Sequence, residues 1–127
     1  MKLLKANIVT AADGSATVYT AKVSGKVHSV HYVKDGATAF TDGVDFAVTA
    51  EETGENIWTE ANVNASGVRY PRAPTHTQAG VAAGIYATGG AAVADKVAIA
   101  NDRIKIVIAQ GGNVKSGTFE VIVNDAR

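Results

Sequence analysis

Two stretches near the C-terminus constrain what this chain can fold into more than any other feature. Arg103–Gln110 (RIKIVIAQ) alternates Ile104, Ile106 and Ile108 against Arg103, Lys105 and Val107. Gly117–Asp125 (GTFEVIVND) alternates Phe119, Val121 and Val123 against Glu120, Ile122 and Asn124. Hydrophobicity with a period of two, built from β-branched and aromatic side chains, is the pattern of a half-buried strand. A slip of one residue would turn either apolar row to the wrong face, so the register is specified. Gly111-Gly112-Asn113 and Ser116-Gly117 supply turn residues between them, and the two strands are expected to pair.

The same punctuation runs through the rest of the chain. Ala16–Val23 (ATVYTAKV) is closed by Ser24-Gly25, Lys26–Lys34 (KVHSVHYVK) by Asp35-Gly36, and Val44–Ala50 (VDFAVTA) follows Asp42-Gly43. Asp-Gly and Ser-Gly pairs take the positive φ of tight turns. Asn56–Val63 (NIWTEANV) puts Ile57, Thr59, Ala61 and Val63 on one face and Trp58, Glu60 and Asn62 on the other, which leaves Trp58 open to exposure. Asp95–Ala100 is a further strand, and Lys2–Thr10 reads as the first strand rather than an export signal, because Lys5 interrupts its apolar run. At 127 residues, 46% of them hydrophobic, the chain is expected to form one β domain over residues 1–127. The fold class is all-β, an antiparallel sandwich or barrel. Helix is expected to be at most a turn or two, within 78–86 and 91–96.

Residues 66–94 break the pattern as a long Pro/Gly/Ala-rich irregular connection. Ser66–Thr77 holds both prolines, at 71 and 74, and should be extended and outside any central strand. Ala79–Ala94 is small and uncharged. A connection of this length is functional or flexible in most domains. Tyr70 with Arg69 and Arg72 is the one aromatic-basic cluster, and we read Tyr70 and Arg72, with Tyr86 further along, as candidate partner contacts. Tyr and Arg are enriched where proteins meet.

Each candidate for chemistry lacks a required part. The twelve basic and twelve acidic side chains cancel, which argues against nucleic acid as a partner and leaves self-association unopposed. With no cysteine there is no disulfide, thiolate zinc site or cysteine nucleophile. His28 and His31 point to opposite faces of a regular strand and meet only if a bulge intervenes. The acidic residues Asp42, Asp45, Glu51, Glu52 and Glu55 lack calcium-loop spacing and read as a solvated hairpin end. No serine sits in a nucleophile elbow. Gly84–Gly89 has phosphate-loop glycines, but Gly90 and Ala91 stand where lysine and a hydroxyl belong. No segment is apolar enough to span a bilayer, and no cofactor or metal is expected. We therefore expect no enzymatic activity.

The segments TDGVDFAVTAEETGENIW at 41–58, YPRAPTH at 70–76 and RIKIVIAQGGNVKSGTFEVIV at 103–123 resemble small virion structural proteins of tailed bacteriophages, encoded beside capsid genes. The resemblance spans most of residues 16–125. It implies a minor capsid or capsid decoration (cement) protein, assembled as a dimer or trimer on a shell of major capsid protein. Its place would be the capsid surface, reached from the host cytoplasm, and it carries no catalytic residues over. A tail, head-completion or fibre-associated module is the alternative within that class, and a small β carbohydrate- or ligand-binding domain using Trp58 is the alternative outside it.

Overall fold

The computed structural model describes residues 1–82 and 93–125. Its strands are β1 (Lys2–Val9), β2 (Ala16–Tyr19), β3 (Val23–Lys34), β4 (Val44–Ala50), β5 (Asn56–Val63), β6 (Gly67–Arg69), β7 (Ala73–Pro74), β8 (Ala94–Asp95), β9 (Val97–Asp102), β10 (Ile104–Ala109) and β11 (Ser116–Asn124). The architecture is all-β, and no helix occurs among the described residues.

Two antiparallel sheets share one core. The first runs β1-β11-β3, and β3 passes its outer edge to β6 along one half and to β9 along the other. The second runs β2-β10-β4-β5. Ile104, Ile106 and Ile108 of β10 and Phe119, Val121 and Val123 of β11 are all fully buried, so both apolar rows face inward as their alternation requires. The strands do not pair, however. Each is the centre of its own sheet, β10 between β2 and β4 and β11 between β1 and β3. The intervening residues form an arch rather than a hairpin turn. Gln110, Gly112 and Val114 take positive φ, and Gly111 binds out to Gly14 and Thr41. Alternation fixes the face a strand buries, and it says nothing about the neighbour.

An aromatic cluster joins the sheets. Phe46 of β4 lies 4.8 Å from Phe119 and 4.7 Å from Tyr32, and Phe40 stacks on Tyr32 at 5.9 Å. Trp58 is buried in the same cluster, 5.3 Å from Phe46, which corrects its expected exposure. The cause is a register shift between β4 and β5 that leaves Ile57 as an extra residue between Asn56 and Trp58, so that Ile57 and Trp58 both point inward.

At one corner the chain changes sheets twice. β2 pairs with β10 in the second sheet, and three residues later β3 pairs with β9 in the first. The expected strand Ala16–Val23 is therefore cut at Thr20–Lys22. Buried Thr20 spans the bend, with Oγ1 accepting from the Ile104 N–H at 3.0 Å. Asp102 does the same from the other strand, accepting from the N–H groups of Glu52 and Arg103. Corners where strands switch sheets need such side-chain acceptors, because the ladder is interrupted there. Ser24-Gly25, expected to end a strand, instead lies inside β3. Gly25 has φ of 143°, where the pairing with β9 shifts register.

The prolines keep out of both main sheets. Pro74 is in the two-residue ladder of β7 with β8, and Thr75 N–H continues it to the Val93 carbonyl. Within this excursion Thr77 N–H bonds the Val81 carbonyl.

Candidate functional site

The side chains that draw attention gather on the outer face of the first sheet, where β3 changes neighbours. β6 covers β3 from Val30 to Tyr32, and β9 covers it from Val23 to Val27. The edge between them, at His28 and Ser29, has no strand partner among the described residues. A bulge sits at the same place. Ile122 of β11 pairs with Ser29 and Val123 with Val27, so His28 is the extra residue. The bulge removes the strict alternation that would separate the two histidines. His28, Ser29 and His31 come together, with the Ser29 hydroxyl 3.1 Å from His28 Nδ1 and 3.3 Å from His31 Nε2. Ser29 is only 1% exposed. A nucleophile must present its oxygen to a substrate, so this serine links two imidazoles rather than attacking anything. No group of three or more His, Asp or Glu side chains suited to a metal ion occurs among the described residues.

Tyr70-Pro71-Arg72 crosses the gap between β6 and β7. The Arg72 guanidinium donates from Nη1 to the His28 carbonyl at 3.2 Å and to the Pro71 carbonyl at 2.6 Å. It thus satisfies a backbone acceptor that neither β6 nor β9 reaches. The Tyr70 ring meets His28 edge-on at 5.9 Å and is otherwise open, with 60% of the residue exposed. The structure therefore unites two of the three expected partner contacts, Tyr70 and Arg72, over one strand edge. Tyr86 lies outside the described residues.

A second cluster fixes the other side of Tyr70. Arg69 binds Glu60 of β5 through two parallel contacts of 2.8 Å, its guanidinium sits over the Trp58 ring at 5.4 Å, and Trp58 Nε1 donates to the same carboxylate at 3.2 Å. The Arg69 hydrogen bonds hold the Glu60 carboxyl below the usual carboxylate range, and the same pairing raises the Arg69 guanidinium. The two residues are nine positions apart in the chain and lie on different sheets, so no local spacing announces the pair. The expected acidic cluster disperses. Lys34 pairs with Asp42, Asp45 accepts from the Asn62 N–H and from Gln110, and Arg103 chelates Glu51.

A cleft of about 400 Å³ opens beside this region, lined by Ala73, Pro74, Thr75, His76, Asp95 and Lys96 among others. Asp95 at its wall pairs with Lys26 at 3.0 Å. No helix among the described residues is long and apolar enough to cross a membrane.

Comparison with known proteins assigns no family. No family model matches the chain, and no curated protein matches it. A solved structure described as the crystal structure of FLHE aligns over 99% of this chain and 97% of its own, at 13% identity and a TM-score of 0.44. A likeness this distant transfers no role from one protein to the other.

Proposed function

We propose that this chain is a non-enzymatic structural protein of a tailed-phage virion, which docks on the outside of the capsid and reinforces the shell of major capsid protein. The observation that supports docking is the presentation of Tyr70. Its ring is exposed, its backbone is stiffened by Pro71, and its neighbours Arg69 and Arg72 are tied to Glu60 and to the His28 carbonyl. An aromatic held in place before binding loses little conformational entropy when a partner covers it. The identity of the assembly comes from the resemblance carried by residues 41–58, 70–76 and 103–123. On this reading the protein folds in the host cytoplasm, self-associates and then joins the capsid surface.

The test is sedimentation with purified particles. The protein should travel with filled capsids in many copies, and Tyr70→Ala should weaken binding to empty shells by about tenfold or more while the melting temperature is unchanged. A few copies per particle would move the chain to a tail, head-completion or fibre position and overturn the capsid assignment. Absence from particles would overturn the virion reading altogether.

A further inference from the structure

We infer that two copies of this chain associate through β1, pairing antiparallel about a two-fold axis at Ala6. The inference deepens the expected self-association and does not depend on capsid docking.

β1 pairs with β11 along eight residues without a register shift, and no strand covers its other edge among the described residues. The Thr10 N–H bonds the Lys115 carbonyl at 2.8 Å, continuing the register of β1 with β11. Antiparallel ladders alternate, so the even residues direct their backbone groups to β11. The odd residues Leu3, Lys5, Asn7 and Val9 direct theirs to the open edge. The Ser116 N–H agrees with this phase, since it turns away from its β1 neighbour Val9 to the Thr38 carbonyl.

An open edge invites pairing, and proteins that keep one unpaired normally blunt it. The other edges here are blunted. β2 and β6 have four and three residues, β5 carries two irregularities, and β9 has a register shift against β3 and a positive φ at Asn101, all among the described residues. β1 has neither shortness nor a bulge, and it lacks proline. Its two lysines, Lys2 and Lys5, are the one feature that would guard it. The side chains favour pairing. Leu3 and Val9 are 55% and 62% exposed and stand three residues either side of Ala6. A two-fold axis at Ala6 lays Leu3 of one copy beside Val9 of the other, and Lys5 beside Asn7. On the core side it lays Leu4 beside Ile8 and Ala6 beside Ala6. No lysine faces a lysine, whereas an axis at Lys5 would place two of them directly opposite. The formal charge of zero adds no general repulsion.

The chain has no cysteine, so single introduced cysteines report the register cleanly. In a non-hydrogen-bonded pair the two Ala6 Cα atoms would be about 4.5 Å apart, within disulfide reach. Two Leu4 Cα atoms would be offset by four residues, about 13 Å. Under mild oxidation Ala6→Cys should therefore give a reducible dimer and Leu4→Cys should not. Light scattering on the unmodified protein should give twice the 13.0 kDa chain mass at micromolar concentration. Lys5→Pro removes an N–H that points outward only, so it should leave a folded monomer with nearly unchanged circular dichroism. A monomer at every concentration, a trimer, or cross-linking through Leu4→Cys in place of Ala6→Cys would each overturn the inference. Failure of capsid binding in a protein that still dimerises would count against the docking role alone.

Discussion

Gly117 lies in β11 with Ile8 on one side and Lys34 on the other, and its backbone is ordinary extended strand, so only space demands glycine there. A Cβ at this position would sit 2.7 Å from Cε2 of Phe40 and 3.1 Å from two further ring atoms. Comfortable carbon contacts are about 3.5–4.0 Å, so the ring would have to retreat by about 1 Å. It has nowhere to go. Phe40 is 2% exposed, lies nearly parallel to Tyr32, and has Phe46 at 6.3 Å. Overpacking of this kind costs about 1–3 kcal/mol, against which the stiffer unfolded chain of alanine returns about 0.4–1 kcal/mol. Gly117→Ala should therefore destabilise by about 1–2 kcal/mol, a fall of roughly 3–10 °C in melting temperature for a domain of this size. Gly36 has nothing within 4 Å of its would-be Cβ and no positive φ, so Gly36→Ala should be neutral or slightly stabilising in the same assay. Phe40→Leu combined with Gly117→Ala should cost less than the two changes summed, because the smaller side chain admits the methyl. If Gly117→Ala melts at or above the parent temperature, or the double variant is simply additive, the steric argument is wrong.

Two further predictions concern pH. Burial, and next the nearby Asp42 carboxylate, push the Tyr32 phenol up to about 12 from its ordinary 10. Its neutral form is the one the fold favours, so that stability is complete below pH 10 and is lost as pH rises from 10 toward 12. Chemical denaturation should show this alkaline loss in the parent and a shallower loss in Tyr32→Phe; identical profiles would exclude Tyr32 as the source. Asp35 shows the opposite sign. Hydrogen bonds from Ser116, Thr38 and the Ala37 N–H hold its carboxyl well below the ordinary 3.8, so its contribution is present above that value and is lost as pH falls below it. The difference in melting temperature between the parent and Asp35→Asn should be constant from pH 7 to 5 and shrink below 3.8, and a difference that grows in acid would contradict the assignment.

The strands were legible where alternation decides them, and Val44–Ala50 and Asn56–Val63 fall on the expected boundaries. The neighbours were not legible, because pairing is decided by distant residues. β10 and β11 are joined by six residues and still belong to different sheets. Bulges account for most of the remaining differences. One extra residue at His28 brings it onto the face of His31, and another at Ile57 turns Trp58 into the core. Such insertions leave little trace in a hydrophobic pattern, since they change phase without changing composition. At the site, Tyr70 and Arg72 were marked by the prolines and by residue type. What Arg72 binds was invisible, because the His28 carbonyl is 44 residues away and is open only where β6 and β9 divide one strand edge.

The two proposed contacts occupy opposite edges of one sheet, and that has a consequence for assembly. Tyr70 follows β6, three strands from β1 across β3 and β11. Pairing β1 with its copy would make a continuous sheet of ten strands, eight strands wide from β6 to β6, with one Tyr70 beyond each end. Strands are about 4.8 Å apart, so the two rings would be separated by about 35 Å along the sheet, less whatever the twist removes. A dimer of this form is bivalent, and its second contact forms at the effective concentration fixed by a rigid span rather than by free diffusion. Each Tyr70 contact can then be individually weak while the dimer holds firmly, provided the sites on the shell repeat near that spacing. Reinforcement follows from the same geometry, because a rigid span anchored at both ends resists separation of the two subunits beneath it. A shell whose sites repeat at a very different spacing would engage one copy at a time, and dimerisation would then add nothing to its stability.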